Sequence, residues 1–471
     1  MRSFTLAHEQ QTKTGELGQI MQPTSVGLDM DRAWPQAVLG ELIQCGDAHL
    51  QTGPFGTALK AAEYASVGVP LISVREIRDG YLEVGEGTPR VSAKTVERLS
   101  KFVLEAGDIV FGRKGGIDRN AVVKSAQEGW FLGSDGIRLR LSKNHDSRFF
   151  SYRMRSPATR AWLTQNSEGT TMPSLNQEIL SRVPVVVPPL PEQRAIAHIL
   201  GTLDDKIELN RRMNETLEAM ARAIFKSWFI DFDPVRAKSE GRDTGLPPHI
   251  ANLFPDSFED SELGQIPAGW EVAPLHKFAT LQTKAIQPRD EPGRLWEHYS
   301  IPAFDEGRRP SKELGATIKS GKYLVPQGAV LMSKLNPQFP RVWLADVSDQ
   351  DSAICSTEFL PFIPKSTKFL PFLYELARSD LFQNEIINRA TGSTGSRQRV
   401  RPKDVGEISI ALPPAELLDC FSRLAGAVNQ RILINIRISA SVEKIRDTLL
   451  PKLITGELRT SDAAELLDST A

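Results

Sequence analysis

The sequence predicts an α+β fold in which two globular α/β domains are separated by two long helices that form an antiparallel coiled coil. The first observation behind this class is an internal repeat at an interval of 225 residues, by which Pro188 corresponds to Pro413 and Asn210 to Asn435. The second is that each copy places a long heptad-patterned segment after a segment rich in short Val- and Ile-containing runs. The third is length, because each half of the 471 residues can bury its own core. Two copies of one unit in one chain predict a pseudo-twofold internal repeat.

Composition, turn-forming residues and periodicity divide the chain into seven segments. We expect a flexible N-terminal tail (1–30), a first domain (31–190), a central helix (191–230), an acidic linker (231–262), a second domain (263–412), a C-terminal helix (413–455) and a C-terminal tail (456–471). In the first domain, VPLISVREI, GDIVFGR and GIRLRLS predict strands, and FFSYRMRSPATRAWLTQN predicts one helix. The linker is assigned because it is rich in Pro, Asp and Ser.

The charge distribution is more informative than the net charge of −1. Segments 31–190 and 263–412 each carry a net charge of +3, whereas 231–262 carries −5. A net charge of +3 is a weak indication of nucleic-acid binding unless the cations share one face. The three cysteines are far apart in sequence, which favours reduced thiols over disulfides. The N-terminus lacks the apolar core of a signal peptide, so we expect a cytoplasmic protein without a membrane partner.

The two long helices carry apolar residues at heptad spacing with a polar residue in the middle of each series. The series are Leu203, Asn210 and Leu217 in the first helix, and Val428, Asn435 and Val442 in the second. If a pseudo-twofold axis relates the helices, Asn210 meets Asn435, and a buried Asn pair would reject other registers. The alternative is two unrelated amphipathic helices, each packed on its own domain.

Several loops combine glycine with basic or amide side chains. Glycine permits close backbone approach to phosphates, Arg and Lys can fork onto guanine, and Asn onto adenine. The alternative for any single residue is a solvated polar loop. The candidate DNA-binding residues are Gly53, Phe55, Gly56, Thr57, Lys60, Arg113, Lys114, Arg119 and Thr170 in the first half, and Lys334, Asn336, Arg341, Arg397, Arg399, Arg401 and Lys403 in the second.

An aromatic cluster ends the first long helix, in the string SWFIDFDP at 227–234. Trp228 and Phe229 could belong to a local core or to a docking patch for a partner subunit. The residues leave both alternatives open.

Taken together, the strings VPPLPEQRAIAHIL, GPFG, GDIV, GSRQRV and LLPKLITGEL resemble the specificity subunit of type I restriction–modification systems. The resemblance runs from Trp34 to Leu458 and rests on the order and duplication of these short strings. It implies that each globular domain reads one half of a split, asymmetric DNA site. It further implies that the helices space the two domains and dock the partner subunits.

The resemblance also implies partners and the location of the chemistry. The expected partners are double-stranded DNA, two methyltransferase subunits and two restriction/translocase subunits. The chain itself is expected to be non-catalytic and to hold no cofactor, with S-adenosylmethionine, ATP and magnesium in the partner subunits. Glu192 and Gln193 are candidate docking residues, and Leu417 and Leu418 replace them in the second copy, so two docking sites would be unequal.

No catalytic signature accompanies these motifs: the sequence contains no Walker A string, no HExxH and no His/Cys cluster at metal spacing. This favours a recognition protein. One alternative is a bivalent DNA-binding scaffold without an active modification system, and another is a self-contained nuclease or methyltransferase with unrecognised motifs.

Overall fold

The computed structural model describes residues 34–169, 172–392 and 398–468. The described chain forms two compact units: unit 1 runs to Thr202 and resumes at Arg446, and unit 2 is Leu203–Ile445. The predicted tail 1–30 lies outside the described residues, as do the candidates Thr170 and Arg397.

The first half of the chain ends with the first long helix. Its elements are β1 (Gln36–Val38), α1 (Leu39–Gln44), β2 (Ala48–Thr52), β3 (Tyr64–Ala65), β4 (Val69–Ile72), β5 (Arg90–Val91), α2 (Ala93–Arg98), β6 (Ile109–Gly112), β7 (Asn120–Val122), β8 (Phe131–Leu132), β9 (Gly136–Leu141), α3 (Ser147–Arg155), α4 (Pro157–Asn166), α5 (Gln177–Ser181), β10 (Pro184–Val186) and α6 (Leu190–Phe229).

The second half repeats this order after two short helices and a hairpin. Its elements are α7 (Asp233–Ser239), α8 (Pro248–Ala251), β11 (Phe258–Ser261), β12 (Gly264–Pro267), β13 (Glu271–Pro274), β14 (Ala279–Leu281), β15 (Ala285–Ile286), β16 (Leu295–Tyr299), α9 (Ile301–Asp305), β17 (Ser311–Leu314), β18 (Lys322–Leu324), β19 (Val330–Ser333), β20 (Val342–Leu344), β21 (Ala353–Ser356), β22 (Phe359–Pro364), α10 (Phe369–Arg378), α11 (Asp380–Asn388), α12 (Pro402–Gly406), β23 (Ser409–Leu412), α13 (Ala415–Thr455) and α14 (Thr460–Asp468).

The sheets of the two halves have the same topology where the repeat predicts it. The antiparallel sheet β2-β9-β6-β7 corresponds to β14-β22-β19-β20. The pair β1-β10 likewise corresponds to β13-β23, and the parallel pair β4-β8 corresponds to β16-β21. The predicted fold class, with two α/β domains, two long helices and an internal repeat, is therefore confirmed.

The middle of the two long helices forms an antiparallel pair within unit 2. Asn210 Nδ2 donates to Ser439 Oγ at 3.1 Å, and Asn435 Nδ2 donates to Asn214 Oδ1 at 2.8 Å. The shift of 225 residues converts Asn210 into Asn435 and Asn214 into Ser439, so the two hydrogen bonds are symmetry-related. Asn210 and Asn435 are both buried, as predicted. The prediction that Asn210 meets Asn435 was wrong, because the antiparallel register places each Asn opposite a residue one helical turn away from the other Asn.

Two further expectations are corrected by the structure. The segment predicted as one helix over 149–166 is two helices, because Ser156 caps α4 and Pro157 occupies its first turn. The segment predicted as a linker, 231–262, is folded: it forms α7, α8 and β11, and it buries Val235 and Phe254 in the core of unit 2.

Within the three described ranges, none of the helices combines the length and apolar character that a membrane crossing requires.

Candidate nucleic-acid interface

A network of backbone hydrogen bonds joins three loops of unit 1. Gly115 N donates to Pro173 O at 2.9 Å, and Leu175 N donates to Arg113 O at 2.8 Å. Arg113 N in turn donates to Asp135 O at 2.8 Å. The loops after β6 and β8 and the segment before α5 are thus held side by side.

The segment before α5 is also paired with itself. Glu168 and Ser174 exchange two backbone hydrogen bonds, at 3.0 and 2.7 Å. We call the five backbone bonds of these loops loop frame 1. Loop frame 1 thus holds the loop of the candidates Arg113 and Lys114 against a segment that lies about 60 residues later in the sequence.

Unit 2 contains the same network, which we call loop frame 2. Asn336 N donates to Gln398 O at 2.8 Å, and Val400 N donates to Lys334 O at 3.1 Å. Lys334 N donates to Glu358 O at 2.9 Å. Thr391 and Arg399 exchange two backbone bonds, each of 2.9 Å. All five bonds of loop frame 1 therefore have a counterpart.

The equivalent positions of the two frames carry different side chains. The pairs are Arg113 and Lys334, Lys114 and Leu335, Gly115 and Asn336, Asp135 and Glu358, and Ser174 and Arg399. Gly115 and Asn336 both have a left-handed backbone, with φ of 78° and 49°. Asn is among the few residues that tolerate this conformation. One backbone scaffold therefore presents two sets of hydrogen-bonding groups.

The GPFG loop lies beside loop frame 1. Phe55 is 66% exposed, and the Arg113 guanidinium lies over its ring at 5.9 Å from the centroid. Gly56 has a φ of 64°, which favours glycine, and it is exposed together with Thr57 and Lys60. Phe55 therefore shares an accessible surface with Arg113, and the other predicted residues of this loop except Gly53 are exposed.

Gly53 has a different role from the one predicted. Its N–H already donates to Gly136 O at 3.0 Å. A Cβ at this position would lie 1.8 Å from Gly133 O, so only glycine fits. The close backbone approach that glycine permits here is made to the protein itself and not to a phosphate.

Two further cations of unit 1 lie at the rim of loop frame 1. Lys114 is exposed, and its Nζ lies 4.0 Å from an Asp135 oxygen. Arg119 is exposed on the same loop. The Arg119 side chain can reach an external polyanion, whereas Lys114 lies beside the Asp135 carboxylate.

Two predicted arginines of unit 2 are held by carboxylates. Arg341 forks onto Asp305, with bonds of 2.7 and 2.9 Å. Arg399 forks onto Glu358, with bonds of 2.9 and 3.1 Å, and this pairing raises the pKa of Arg399. In each guanidinium the edge formed by Nε and Nη2 is occupied by a carboxylate.

The remaining predicted residues of unit 2 differ in accessibility. Arg401 and Lys403 are exposed at the start of α12, and Lys334 and Asn336 are half-buried. The side-chain oxygen of Asn336 is buried and has no hydrogen-bond partner among the described residues.

Sequence reasoning missed two residues of these surfaces. Phe339 is 60% exposed on a turn in which its N–H donates to Asn336 O, and prolines 337 and 340 flank that turn. Gln177 Nε2 donates to Thr52 Oγ1 at 3.0 Å and ties α5 to β2. The proline spacing around Phe339 was a usable signal, but the Gln177 contact is non-local and has no counterpart in the sequence pattern.

The predicted partner-docking residues of the first helix are largely internal. Gln193 is buried, donates to Pro188 O at 2.8 Å and accepts from Asp146 N at 2.9 Å. Glu192 is half-buried and accepts from Thr460 Oγ1 at 3.3 Å. Gln193 thus supports the packing of α6 in unit 1 and offers no exposed contact.

The aromatic cluster resolves to a local core. Trp228 and Phe229 are 4% and 6% exposed. The Phe229 ring lies 5.0 Å from that of Phe421 and 5.2 Å from that of Phe372. The docking-patch alternative is therefore wrong for these two residues. The other predicted helix residues, Leu203, Leu217, Val428 and Val442, are half-buried.

Among the described residues, no group of three or more His, Cys, Asp or Glu side chains is arranged to hold a metal ion. The loop frames and the loops beside them present cations, amides, the carboxylates of Asp135 and Glu358, and the exposed phenyl rings of Phe55 and Phe339. Such groups bind phosphates and base edges by hydrogen bonds and contacts.

Several known proteins are similar to this chain in sequence. The family model described as the type I restriction modification DNA specificity domain matches residues 55–219. A type I restriction enzyme specificity subunit (MjaIX) of Methanocaldococcus jannaschii is 25% identical over 417 residues, which cover 86% of this chain and 90% of that protein. The corresponding HindI subunit of Haemophilus influenzae is 25% identical over 342 residues, covering 62% of this chain and 72% of that protein.

The fold agrees as well. The crystal structure of a type I restriction–modification S subunit from M. genitalium covers 91% of this chain and 98% of that chain, with a TM-score of 0.50 at 17% identity. The chain is thus similar over most of its length to type I restriction enzyme specificity subunits, and residues 55–219 match the type I DNA specificity domain.

Proposed function

We propose that this chain directs a type I restriction–modification complex to a split, asymmetric DNA sequence. Loop frame 1 reads one half of the site, and loop frame 2 reads the other. Each frame carries a different set of side chains, so the two half-sites differ and the whole site is not palindromic.

The main support for this proposal is that both frames have the same network of backbone hydrogen bonds although their side chains differ. Backbone hydrogen bonds set the position of a loop, whereas side chains distinguish bases. A duplicated scaffold with divergent contact groups is suited to a ligand that offers two similar backbones with different base sequences, which is the property of duplex DNA.

We further propose that the paired helices α6 and α13 set the distance between the half-sites and provide the binding surface for two methyltransferase subunits and two restriction/translocase subunits. Support comes from the symmetry-related hydrogen bonds of Asn210 and Asn435, which favour a single helix register. One register gives one spacing, and a fixed spacing is what recognition of a split site requires.

In this proposal the chain performs no chemistry. S-adenosylmethionine, ATP and magnesium would be bound by the partner subunits, and the target adenine would leave the base stack in a partner's active site. DNA binding by the chain alone would be modest and salt-sensitive, since phosphate contacts dominate such binding and each globular segment carries a net charge of only +3.

The test is methylome sequencing of a host that expresses this chain with a cognate methyltransferase subunit, compared with a host that expresses the methyltransferase alone. We expect a split, asymmetric motif that is methylated on both strands only when the chain is present. A soluble complex that produces no new motif would contradict the proposal and favour a bivalent DNA-binding scaffold without an active modification system.

A further inference from the structure

We propose that each loop frame contains a carboxylate that suppresses sequence-independent DNA binding by holding a neighbouring cation away from the phosphates. The carboxylates are Glu358 in unit 2 and Asp135 in unit 1, and the cations are Arg399 and Lys114. We call each pair a latch. The inference rests on the proposed function, because it assigns a specificity role within the same surface.

The latch of unit 2 has a defined geometry. Both Glu358 oxygens accept hydrogen bonds from Arg399, at 2.9 and 3.1 Å. The Arg399 side chain is 48% exposed and that of Glu358 is 26% exposed. Arg399 uses Nε and Nη2 for Glu358, so this edge of the guanidinium is not available to a phosphate or a guanine at the same time.

Both partners of this latch are anchored in loop frame 2. The Glu358 carbonyl accepts from Lys334 N, and the Arg399 backbone is held by its two bonds to Thr391. The latch therefore lies at the surface that we assign to DNA and not at an unrelated edge of the domain.

Unit 1 repeats the arrangement with different residues. The Asp135 carbonyl accepts from Arg113 N, as that of Glu358 does from Lys334 N. An Asp135 carboxylate oxygen lies 4.0 Å from Lys114 Nζ. An acidic side chain thus occupies the same position in both frames. The cation differs in origin, because Lys114 lies in the loop after β6 and Arg399 lies in the segment before α12. The longer distance predicts a weaker latch in unit 1.

Neither latch is needed for the fold. Ion pairs with this exposure contribute at most about 1 kcal/mol to stability.

A carboxylate among DNA-facing cations repels phosphates, and such repulsion lowers binding to every sequence. At the correct site the penalty can be recovered, because a carboxylate can accept a hydrogen bond from the cytosine amine while the released cation contacts a phosphate. The latch therefore raises the ratio of specific to non-specific affinity.

The experiment is a double-mutant cycle on non-specific DNA binding by the full-length chain. Fluorescence anisotropy with labelled random-sequence duplexes of about 30 base pairs, across about 50 to 300 mM KCl, gives the affinity and its salt slope. We expect Glu358→Gln to tighten non-specific binding about 5- to 10-fold and to steepen the slope by about one freed cation. Asp135→Asn should produce a smaller gain in the same direction.

The cycle separates a latch from a general effect of charge. If Arg399 is latched, Arg399→Ala weakens binding by less than about twofold in the wild-type background and by about 5- to 10-fold in the Glu358→Gln background. If Arg399→Ala has the same effect in both backgrounds, the latch is refuted. Glu259→Gln removes an exposed carboxylate of β11 and is the matched control for charge. It should increase the affinity for non-specific DNA much less than Glu358→Gln does.

The same titration distinguishes failure of the latch from failure of the proposed function. A wild-type chain that binds no duplex at the lowest salt contradicts DNA recognition itself. A wild-type chain that binds in a salt-dependent manner, with Glu358→Gln and Glu259→Gln indistinguishable, contradicts only the latch. Circular dichroism melts should show that the variants are folded, with melting temperatures close to that of the wild type, since partly exposed ion pairs contribute little to stability.

Discussion

Loop frames 1 and 2 have the same five backbone hydrogen bonds and almost no side chain in common. The positions of these loops and the identities of their side chains are therefore encoded separately in this protein. The backbone network tolerates Gly115 in one half and Asn336 in the other because both adopt a left-handed conformation. Once the network is kept, the contact groups are free to diverge.

The buried residues at the C-terminal ends of the two long helices differ in type between the halves. In unit 2, Phe225, Trp228 and Phe229 end α6 and pack on aromatic neighbours. The positions 225 residues later, at the end of α13, are aliphatic and also buried, namely Leu450, Leu453 and Ile454. The same burial is thus achieved with large rings in one half and smaller side chains in the other.

The largest expected effect concerns this core. We expect Phe229→Ala to lower the free energy of unfolding of unit 2 by about 3–5 kcal/mol, since a buried ring is lost and its aromatic neighbours cannot fill the space. Urea denaturation measures the loss, and hydrogen exchange with mass spectrometry locates it. Ile454→Ala is the matched variant in unit 1. Equal acceleration of exchange in both units by Phe229→Ala would contradict the assignment of separate cores.

A second difference between the halves is a buried acid. Glu375 on α10 is 1% exposed, and one of its oxygens has no hydrogen-bond partner among the described residues. Its counterpart on α3, aligned through the capping residues Ser156 and Ser379, is Tyr152. Burial raises the pKa of Glu375 to about 6, against the opposing effects of Arg378 and Arg222 and with a further contribution from Glu218.

The direction of the pH dependence follows from this shift. Because the pKa in the folded state lies above the ordinary value of 4.5, the folded state binds the proton more tightly than the unfolded state. The resulting stabilisation, about 2 kcal/mol, is complete below pH 4.5 and is lost as the pH rises through about 6. Urea denaturation at several pH values should show this loss in the wild type, and Glu375→Gln should remove it. An unchanged pH profile in the variant would refute the role of Glu375.

The smallest expected effect tests the assignment of one frame to each half-site. Arg113 and Lys334 occupy equivalent positions, so Arg113→Ala and Lys334→Ala should each relax recognition in a different half of the methylated motif. A loss of about 10-fold in discrimination at one base position is expected for either variant. Methylome sequencing of hosts that carry each variant provides the measurement. If both variants relax the same half, the division of labour between the frames is wrong.

The sequence by itself determined the features that depend on local pattern. The interval of 225 residues predicted the repeat, and heptad spacing predicted two long helices and the burial of Asn210 and Asn435. Runs of Val and Ile predicted the strands that carry the loop frames. These features were accessible because periodicity reflects which face of an element is buried.

Only the tertiary structure decided which groups meet across the chain. In the fold, the N–H of Gly53 donates to Gly136 O, and Gln193 is buried against Pro188 and Asp146. Arg399 pairs with Glu358. The tertiary structure also placed Asn210 opposite Ser439, because the symmetry of the repeat does not specify the helix register. Each of these contacts joins residues that are distant in sequence or depends on the geometry of a loop. A local sequence pattern does not predict such partners.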